Sequence, residues 1–310
     1  MSASPRLSLG ASRALNLGLI GSSVSRSLSP FIHQAFFDCT GIAGSYRLFD
    51  VAESALANCL KSMSDGPEAM DGINVTIPHK VAVFDFLQSC SPQARAAGAV
   101  NTVVFKEQKL EGHNTDILGL KSSLEQNLSS SVLNKIVIAG TGGAARAAVI
   151  ALAEMGASEF QILGRSRERA ESFIASLEQS IALSQIVLPQ LSLSSFTLSA
   201  QENFAAAVEY CQVFINATSV GHLDREVPPW LEPLLVAMPK AAFVQDLVYA
   251  KNREPTVFCG LSQKYQLENA DGKAMLVHQA RFAFELFSGQ LPPYEVGFNA
   301  LLEACARARN

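Results

Sequence analysis

Four short polar stretches in the first half of the chain carry side chains that can do chemistry. They are SRSLSP (25–30), NVTIPHK (74–80), VNT (100–102) and GHNTD (112–116). Their inventory is hydroxyls and amides with one amine, Lys80, and one carboxylate, Asp116. Such a set suits a polyhydroxylated ligand bearing one anionic group. It does not suit a metal, because no two His, Cys, Asp or Glu positions show ligand spacing. All four stretches fall in loops or at strand ends. Open α/β sheets bind ligands beyond the carboxyl ends of their strands, so the four can converge on one cleft.

A fifth stretch, GTGGAA (140–145), fits the pattern G-x-G-x-x-G/A through Gly140, Gly142 and Ala145. It follows the apolar run KIVIAG (135–140) and opens a helical pattern, the context that a dinucleotide site requires. Gly140 permits the tight turn, Gly142 lets a pyrophosphate approach the backbone, and Ala145 allows close helix–strand packing. The free amides and dipole of the helix N-terminus then favour the anion. At the end of the next strand, GRSRER (164–169) sets Arg165, Ser166 and Arg169 where an NAD site carries an acid. Arginine pairs a 2′-phosphate bidentately, which predicts NADP. Hydride leaves a carbinol carbon only as its hydroxyl proton is removed, and an amine held beside a carboxylate can take that proton. On the residues alone, a lysine or aspartate at a strand end is more often a surface charge.

The elements that must position these groups alternate between strand and helix, the signature of an α/β protein with parallel sheets. Strands are expected at 16–21, 45–51, 72–77, 99–105, 135–140, 160–164, 211–219 and 241–249. Helices are expected after Pro30, with Phe31, Ala35 and Phe36 on one face, and at 53–63, 80–90, 141–156, 272–289 and 296–309. In GINVTIPHK, Ile73, Val75 and Ile77 read as the sheet-facing side and Asn74 and Thr76 as the polar side, with Pro78 ending the strand. His79 reads as facing away from Lys80, as extended neighbours do. His33 and His278 read as core or boundary residues with satisfied rings, and Phe282, Phe284 and Phe287 as helix packing. Residues 178–203 fit no element.

Of the 310 residues, 48% are apolar and 17% charged, which excludes disorder and leaves ample core for two domains. The net charge of −4, with no basic run, argues against nucleic acid or an anionic membrane surface. No apolar run is long enough to span a bilayer. Six scattered cysteines without C-x-x-C spacing suit a reducing cytoplasm. The first 16 residues hold two arginines, four serines and no acid, and read as a tail rather than a targeting segment.

Taken in order, GINVTIPHK, GAVNTV, GHNTD, GTGGAARA, NATSVG, DLVY and GKAMLVHQARFAFELFSG resemble the shikimate dehydrogenases over Leu17 to Gly289. The resemblance implies NADPH-dependent reduction of 3-dehydroshikimate to shikimate, on the way to aromatic amino acids. It implies an α/β fold of two domains: a substrate domain (1–115 plus 271–310) completed by C-terminal helices, and a Rossmann domain (116–270). Lys80 matches the catalytic lysine and Asp116 its partner. Ser27 and Ser29 match the serines that hold the substrate carboxylate, with Tyr249 nearby. Thr76, Asn101 and Gln279 match other substrate contacts. Gly140, Thr141, Gly142, Gly143 and Ala144 match the pyrophosphate loop. Arg165, Ser166 and Arg169 match the phosphate clamp N-R-T-x-x-R, and Leu247 and Gly272 match positions whose backbones meet the nicotinamide side.

The chain departs from the family pattern at four places. Arg26 replaces a histidine before Ser27. Gly164 replaces the clamp asparagine and removes a hydrogen-bonding side chain. Pro92 stands where a carboxylate is common, and His222 where an apolar residue is, as a loop residue without chemistry. Two alternatives remain at this level: a quinate/shikimate dehydrogenase using NAD, and a non-catalytic regulator that binds NADP and a shikimate-like ligand. A monomer or a homodimer is expected.

Overall fold

The computed structural model describes residues 13–66, 69–128, 133–199, 204–220, 227–251 and 254–307. The expectations for the N-terminal tail before residue 13, for His222 and for the end of the last helix lie outside these residues. Twelve strands are found among the described residues. Those of the first half are β1 (Leu15–Gly21), β2 (Gly44–Asp50), β3 (Gly72–Val75), β4 (Ser89–Cys90), β5 (Thr102–Lys106) and β6 (Lys109–His113). Those of the second half are β7 (Lys135–Ala139), β8 (Glu159–Gly164), β9 (Ser192–Thr197), β10 (Val213–Asn216), β11 (Phe243–Asp246) and β12 (Glu268–Ala270). The α-helices are α1 (Ser29–Thr40), α2 (Leu56–Asp65), α3 (His79–Ala82), α4 (Pro92–Ala97), α5 (Thr115–Glu125) and α6 (Gly143–Glu154). They continue as α7 (Arg167–Ala182), α8 (Phe204–Val208), α9 (Leu231–Ala237), α10 (Val257–Lys264), α11 (Lys273–Ser288) and α12 (Tyr294–Arg307).

The strands form two six-stranded sheets. The second runs β12-β11-β10-β7-β8-β9, all parallel. Read from β7 outwards, this is the doubly wound dinucleotide-binding order, with its switch point between β7 and β10. The strands beside that point are apolar and buried on both faces, because helices cover each side.

The first sheet runs β2-β1-β3-β5-β6-β4 and is mixed rather than parallel: β5 pairs antiparallel with both β3 and β6. Strands β5 and β6 are joined by a two-residue hairpin at Glu107 and Gln108, whose φ values are +49° and +63°. Two left-handed residues give the turn that matches strand twist. Neither residue type announces it. Two further differences concern local register. Strand β3 ends at Val75, and Ile77 is 67% exposed rather than a sheet anchor. Asn74, on the polar side of the strand, is buried. On α1 the buried face is Ile32, His33, Phe36 and Phe37, spaced at i and i+4, while Phe31 is 46% exposed. The region 178–203 holds the end of α7 and the strand β9.

The C-terminal helices return to the first sheet, as expected. Val277, Ala280 and Phe284 of α11 and Leu301, Ala304 and Cys305 of α12 share one core with Leu17, Ile32, Phe36 and Phe37. Phe284 meets Phe36 and Phe37 edge-on, with ring centroids 5.7 and 5.3 Å apart. Phe282 and Phe287 are only half-buried. No helix among the described residues is long and apolar enough to cross a membrane. Because Phe284 is fully buried at the centre of this cluster, Phe284→Ala is expected to lower the unfolding free energy by about 3–5 kcal/mol, read from urea denaturation.

Candidate active site

The chain leaves β3 through Thr76 and turns into the single-turn helix α3, which carries His79 and Lys80 in opposite directions. His79 is fully buried, and its ring Nε2–H donates to the Val51 carbonyl at 2.8 Å. It does face away from Lys80, through a helical turn and not through extended backbone. The Lys80 carbonyl accepts from Val100 N–H at 2.7 Å, which fixes the turn against the approach to β5. The Lys80 ammonium then donates to Asp116 Oδ2 at 2.6 Å, with side chains 15% and 7% exposed.

Asp116 lies in the first turn of α5, where the helix dipole favours a carboxylate. Its other oxygen, Oδ1, accepts from Asn101 Nδ2 at 2.8 Å. The same amide lies 3.0 Å from Thr115 Oγ1 and 3.4 Å from Gln279 Oε1. Asn101 Oδ1 accepts from Thr115 N–H at 2.7 Å. The sequence-selected residues Lys80, Asn101, Asp116 and Gln279 therefore meet in one buried cluster.

The cluster continues through residues that sequence reasoning missed. Asn74 Nδ2 donates to Thr102 Oγ1 at 3.1 Å, and Tyr46 O–H donates to Asn74 Oδ1 at 2.9 Å. At the other end of the cleft the Ser29 hydroxyl accepts from Ser27 Oγ at 3.1 Å. A polar chain thus runs from Tyr46 to the lysine–aspartate pair. Burial pushes the Tyr46 phenol far above its ordinary pKa. His33 stacks on Tyr46 with centroids 4.0 Å apart, fully buried, and neither of its ring nitrogens has a hydrogen-bond partner among the described residues. It is a core histidine, but not a satisfied one, and burial pushes its pKa down to about 3. His278 is paired as expected: its Nε2 lies 2.9 Å from Gln126 Nε2. The signal for the missed network was a polar Asn inside a strand flanked by apolar residues on both sides.

Tyr249 is half-buried at the serine end, in contact with the Leu28 backbone, and burial pushes its pKa up to about 12. Arg26 is exposed, and its carbonyl accepts from Lys251 Nζ at 2.6 Å. Thr76 sits over Gly21, half-buried at the mouth.

The glycine-rich turn abuts this cluster. Gly140 has φ +118°, and a Cβ there would stand 2.7 Å from the Ala217 carbonyl oxygen across the switch point, so a side chain is excluded twice over. A Cβ on Gly143 would lie 3.0 Å from Lys80 Cβ. The start of α6 and the lysine stem are therefore in contact. A Cβ on Gly142, by contrast, would meet nothing within 4 Å, which leaves open space before the α6 amides. The loop fits a pyrophosphate. Beyond it, Thr141, Ser166 and Arg169 line a cleft. Ser166 also caps α7 by accepting from Arg169 N–H at 3.3 Å. Arg165 and Arg169 are exposed. No group of His, Cys, Asp and Glu among the described residues could hold a metal.

Leu247 follows the buried Asp246. Asp246 Oδ1 accepts from Asn216 Nδ2 at 2.7 Å and Val248 N–H at 3.0 Å, and Oδ2 accepts from Thr256 Oγ1 at 2.6 Å. Gly272 packs on the Leu247 carbonyl, where a Cβ would stand 2.4 Å away.

A doubly wound sheet with its glycine-rich turn against a buried lysine–aspartate pair defines a two-domain α/β oxidoreductase of the dinucleotide-dependent class. Residues 19–103 match the family model described as shikimate dehydrogenase substrate binding domain, and residues 274–302 match that of the shikimate 5'-dehydrogenase C-terminal domain. The shikimate dehydrogenase (NADP(+)) of Caldanaerobacter subterraneus subsp. tengcongensis is 34% identical over 274 residues, 88% of this chain and 91% of its own. That of Methanopyrus kandleri is 36% identical over 290 residues, 93% and 94% of the two chains. The shikimate 5-dehydrogenase of Thermus thermophilus, solved with NADP(H) and shikimate, superposes with a TM-score of 0.76 at 28% identity, covering 94% of this chain and 99% of its own. The chain belongs to the shikimate dehydrogenase family.

Burial pushes the Asp246 carboxyl up to about 6 from an ordinary 3.8, against the hydrogen bonds it accepts. Between those values the folded chain holds a proton that the unfolded chain has lost. Stability is therefore expected to fall as pH rises from about 4 to about 6, by about 3 kcal/mol. Urea denaturation across this range should show the loss in the native chain and a flatter profile in Asp246→Asn.

Proposed function

We propose that the chain reduces 3-dehydroshikimate to shikimate with NADPH. The single observation that carries this reading is the contact between Lys80, already paired with Asp116, and the first residue of the nucleotide-binding helix. It brings an acid/base pair to the edge of a cofactor site, which is what a carbonyl reduction needs.

In this reading Ser27, Ser29 and Tyr249 hold the substrate carboxylate, and Thr76, Asn101 and Gln279 hold its hydroxyl groups. NADP binds on Gly140 to Ala144, with Arg165, Ser166 and Arg169 on its 2′-phosphate and the backbone of Leu247 and Gly272 at the nicotinamide side. When bound, NADPH supplies the hydride that reduces C3. Lys80 donates a proton to the C3 oxygen as the new C–H bond forms, and takes its next proton from solvent. Asp116 accepts from Lys80 and turns the ammonium toward that oxygen. Asn101, donating to Asp116 Oδ1, keeps the carboxylate from rotating away. The low exposure of the pair strengthens each of these interactions by limiting screening.

The substrate domain comprises 1–115 plus 271–310 and the Rossmann domain 116–270. The shared core of α11, α12 and the first sheet supports this division, as do Ile117, Leu120 and Leu124 of α5 within the core of the second. The chain acts as a monomer or homodimer in the cytoplasm, where its six cysteines stay reduced.

Lys80→Ala is expected to lower kcat by about 10²–10⁴-fold while leaving substrate affinity near that of the native chain. Steady-state kinetics paired with equilibrium binding of shikimate measure both, and near-native kcat removes Lys80 from this role. Shikimate and quinate, each assayed with NADP and NAD, test the reaction itself. Preferred turnover of quinate with NAD selects the quinate-type reading, and binding without turnover selects a regulator.

A further inference from the structure

The cleft that holds Ser166 and Arg169 has a floor that the clamp motif does not describe. It encloses about 480 Å³ and is lined by Thr141, Arg146, Ser166, Arg169, Ser172 and Ser176, with Glu168 at its edge. Arg146, in the first turns of α6, is only 9% exposed. Its Nη1 donates to the Ala97 carbonyl at 3.1 Å and its Nη2 to Ser176 Oγ, and its guanidinium lies over Phe173 at 5.4 Å from the ring centroid. The fork has five N–H donors, and these two bonds leave others unspent. No carboxylate pairs with Arg146 among the described residues.

The clamp is also short of one group. A Cβ on Gly164 would lie 2.9 Å from the Ser166 carbonyl oxygen and 3.1 Å from Ala170 N, so the backbone has closed over the space an asparagine side chain would occupy. What remains at the rim is a hydroxyl and two exposed arginines, whose attraction for a phosphate is screened by water. A buried cation acts through lower dielectric and over a longer reach. We propose that Arg146 is a specificity-determining cation for the 2′-phosphate of the dinucleotide, closing the cleft from below while Arg165 and Arg169 close it from above. This rests on the NADP reading of the cofactor site.

The probes are 2′,5′-ADP and 5′-AMP, which differ by that phosphate, titrated calorimetrically into the native chain, Arg146→Met and Arg146→Lys. The native chain should prefer 2′,5′-ADP. If it does not, the NADP reading fails and this inference with it, before any variant is considered. Given that preference, Arg146→Met should bind 2′,5′-ADP about tenfold more weakly and 5′-AMP within about twofold of the native chain. Arg146→Lys, which keeps the charge and loses the fork, should fall between. Equal weakening of both probes marks Arg146 as a structural bolt between α4 and α7 and overturns the proposal, as does unchanged affinity for 2′,5′-ADP. Should Arg146→Met fail to fold, the same two outcomes in Arg146→Lys decide it.

Discussion

The ion pair between Lys80 and Asp116 is the contact on which the site's arrangement depends. A buried pair repays its desolvation only when the remaining donors and acceptors are satisfied as well. Asp116 meets this condition through Asn101, which is itself held by Thr115 and Thr102. The lysine comes from the short helix α3 after β3 and the carboxylate from the helix after β6. The pair therefore holds only if the first sheet, the approach to β5 and the start of α5 keep their registers together. The absence of a side chain on Gly143 is part of the same constraint, because any Cβ there would press on the lysine stem.

Outward from the pair, a polar chain runs through Asn101, Thr102 and Asn74 to Tyr46. It is buried and almost continuously bonded, so its members polarise one another and resist rearrangement. His33 contributes by shape: a neutral ring pressed on Tyr46 keeps the phenol from turning out of line. The candidate site is thus built on strands and helix starts rather than on free loops, which favours precise placement of its side chains.

The nucleotide half was the more legible in the sequence. An apolar strand, a glycine turn and a long alanine-rich helix each announce themselves locally, and β7, α6 and β8 lie where their patterns put them. The first sheet was harder to read because its decisive features are not local. Glu107 and Gln108 form a left-handed turn without glycine or asparagine, and that turn carries the chain back as β6 against β5. The network of Asn74 was hidden because its partners, Tyr46 and Thr102, are distant in sequence. Strand β9 was hidden by its serines, as an edge strand needs few apolar residues on its outer face. Lys80 and Asp116 were paired through the resemblance, and the fold brings them together across 36 positions.

Helix α5 has a double membership. Its body is packed into the core of the second sheet through Ile117, Leu120 and Leu124, and its flank lies against α11, which belongs to the core of the first. Gly119 permits that approach, since a Cβ there would stand 2.8 Å from the side chain of Gln279. A rod wedged between two bodies is the natural pivot when they rock, and points on a pivot travel least. Asp116, at the tip of that rod, would stay nearly still while the rims of the cleft swing through larger arcs.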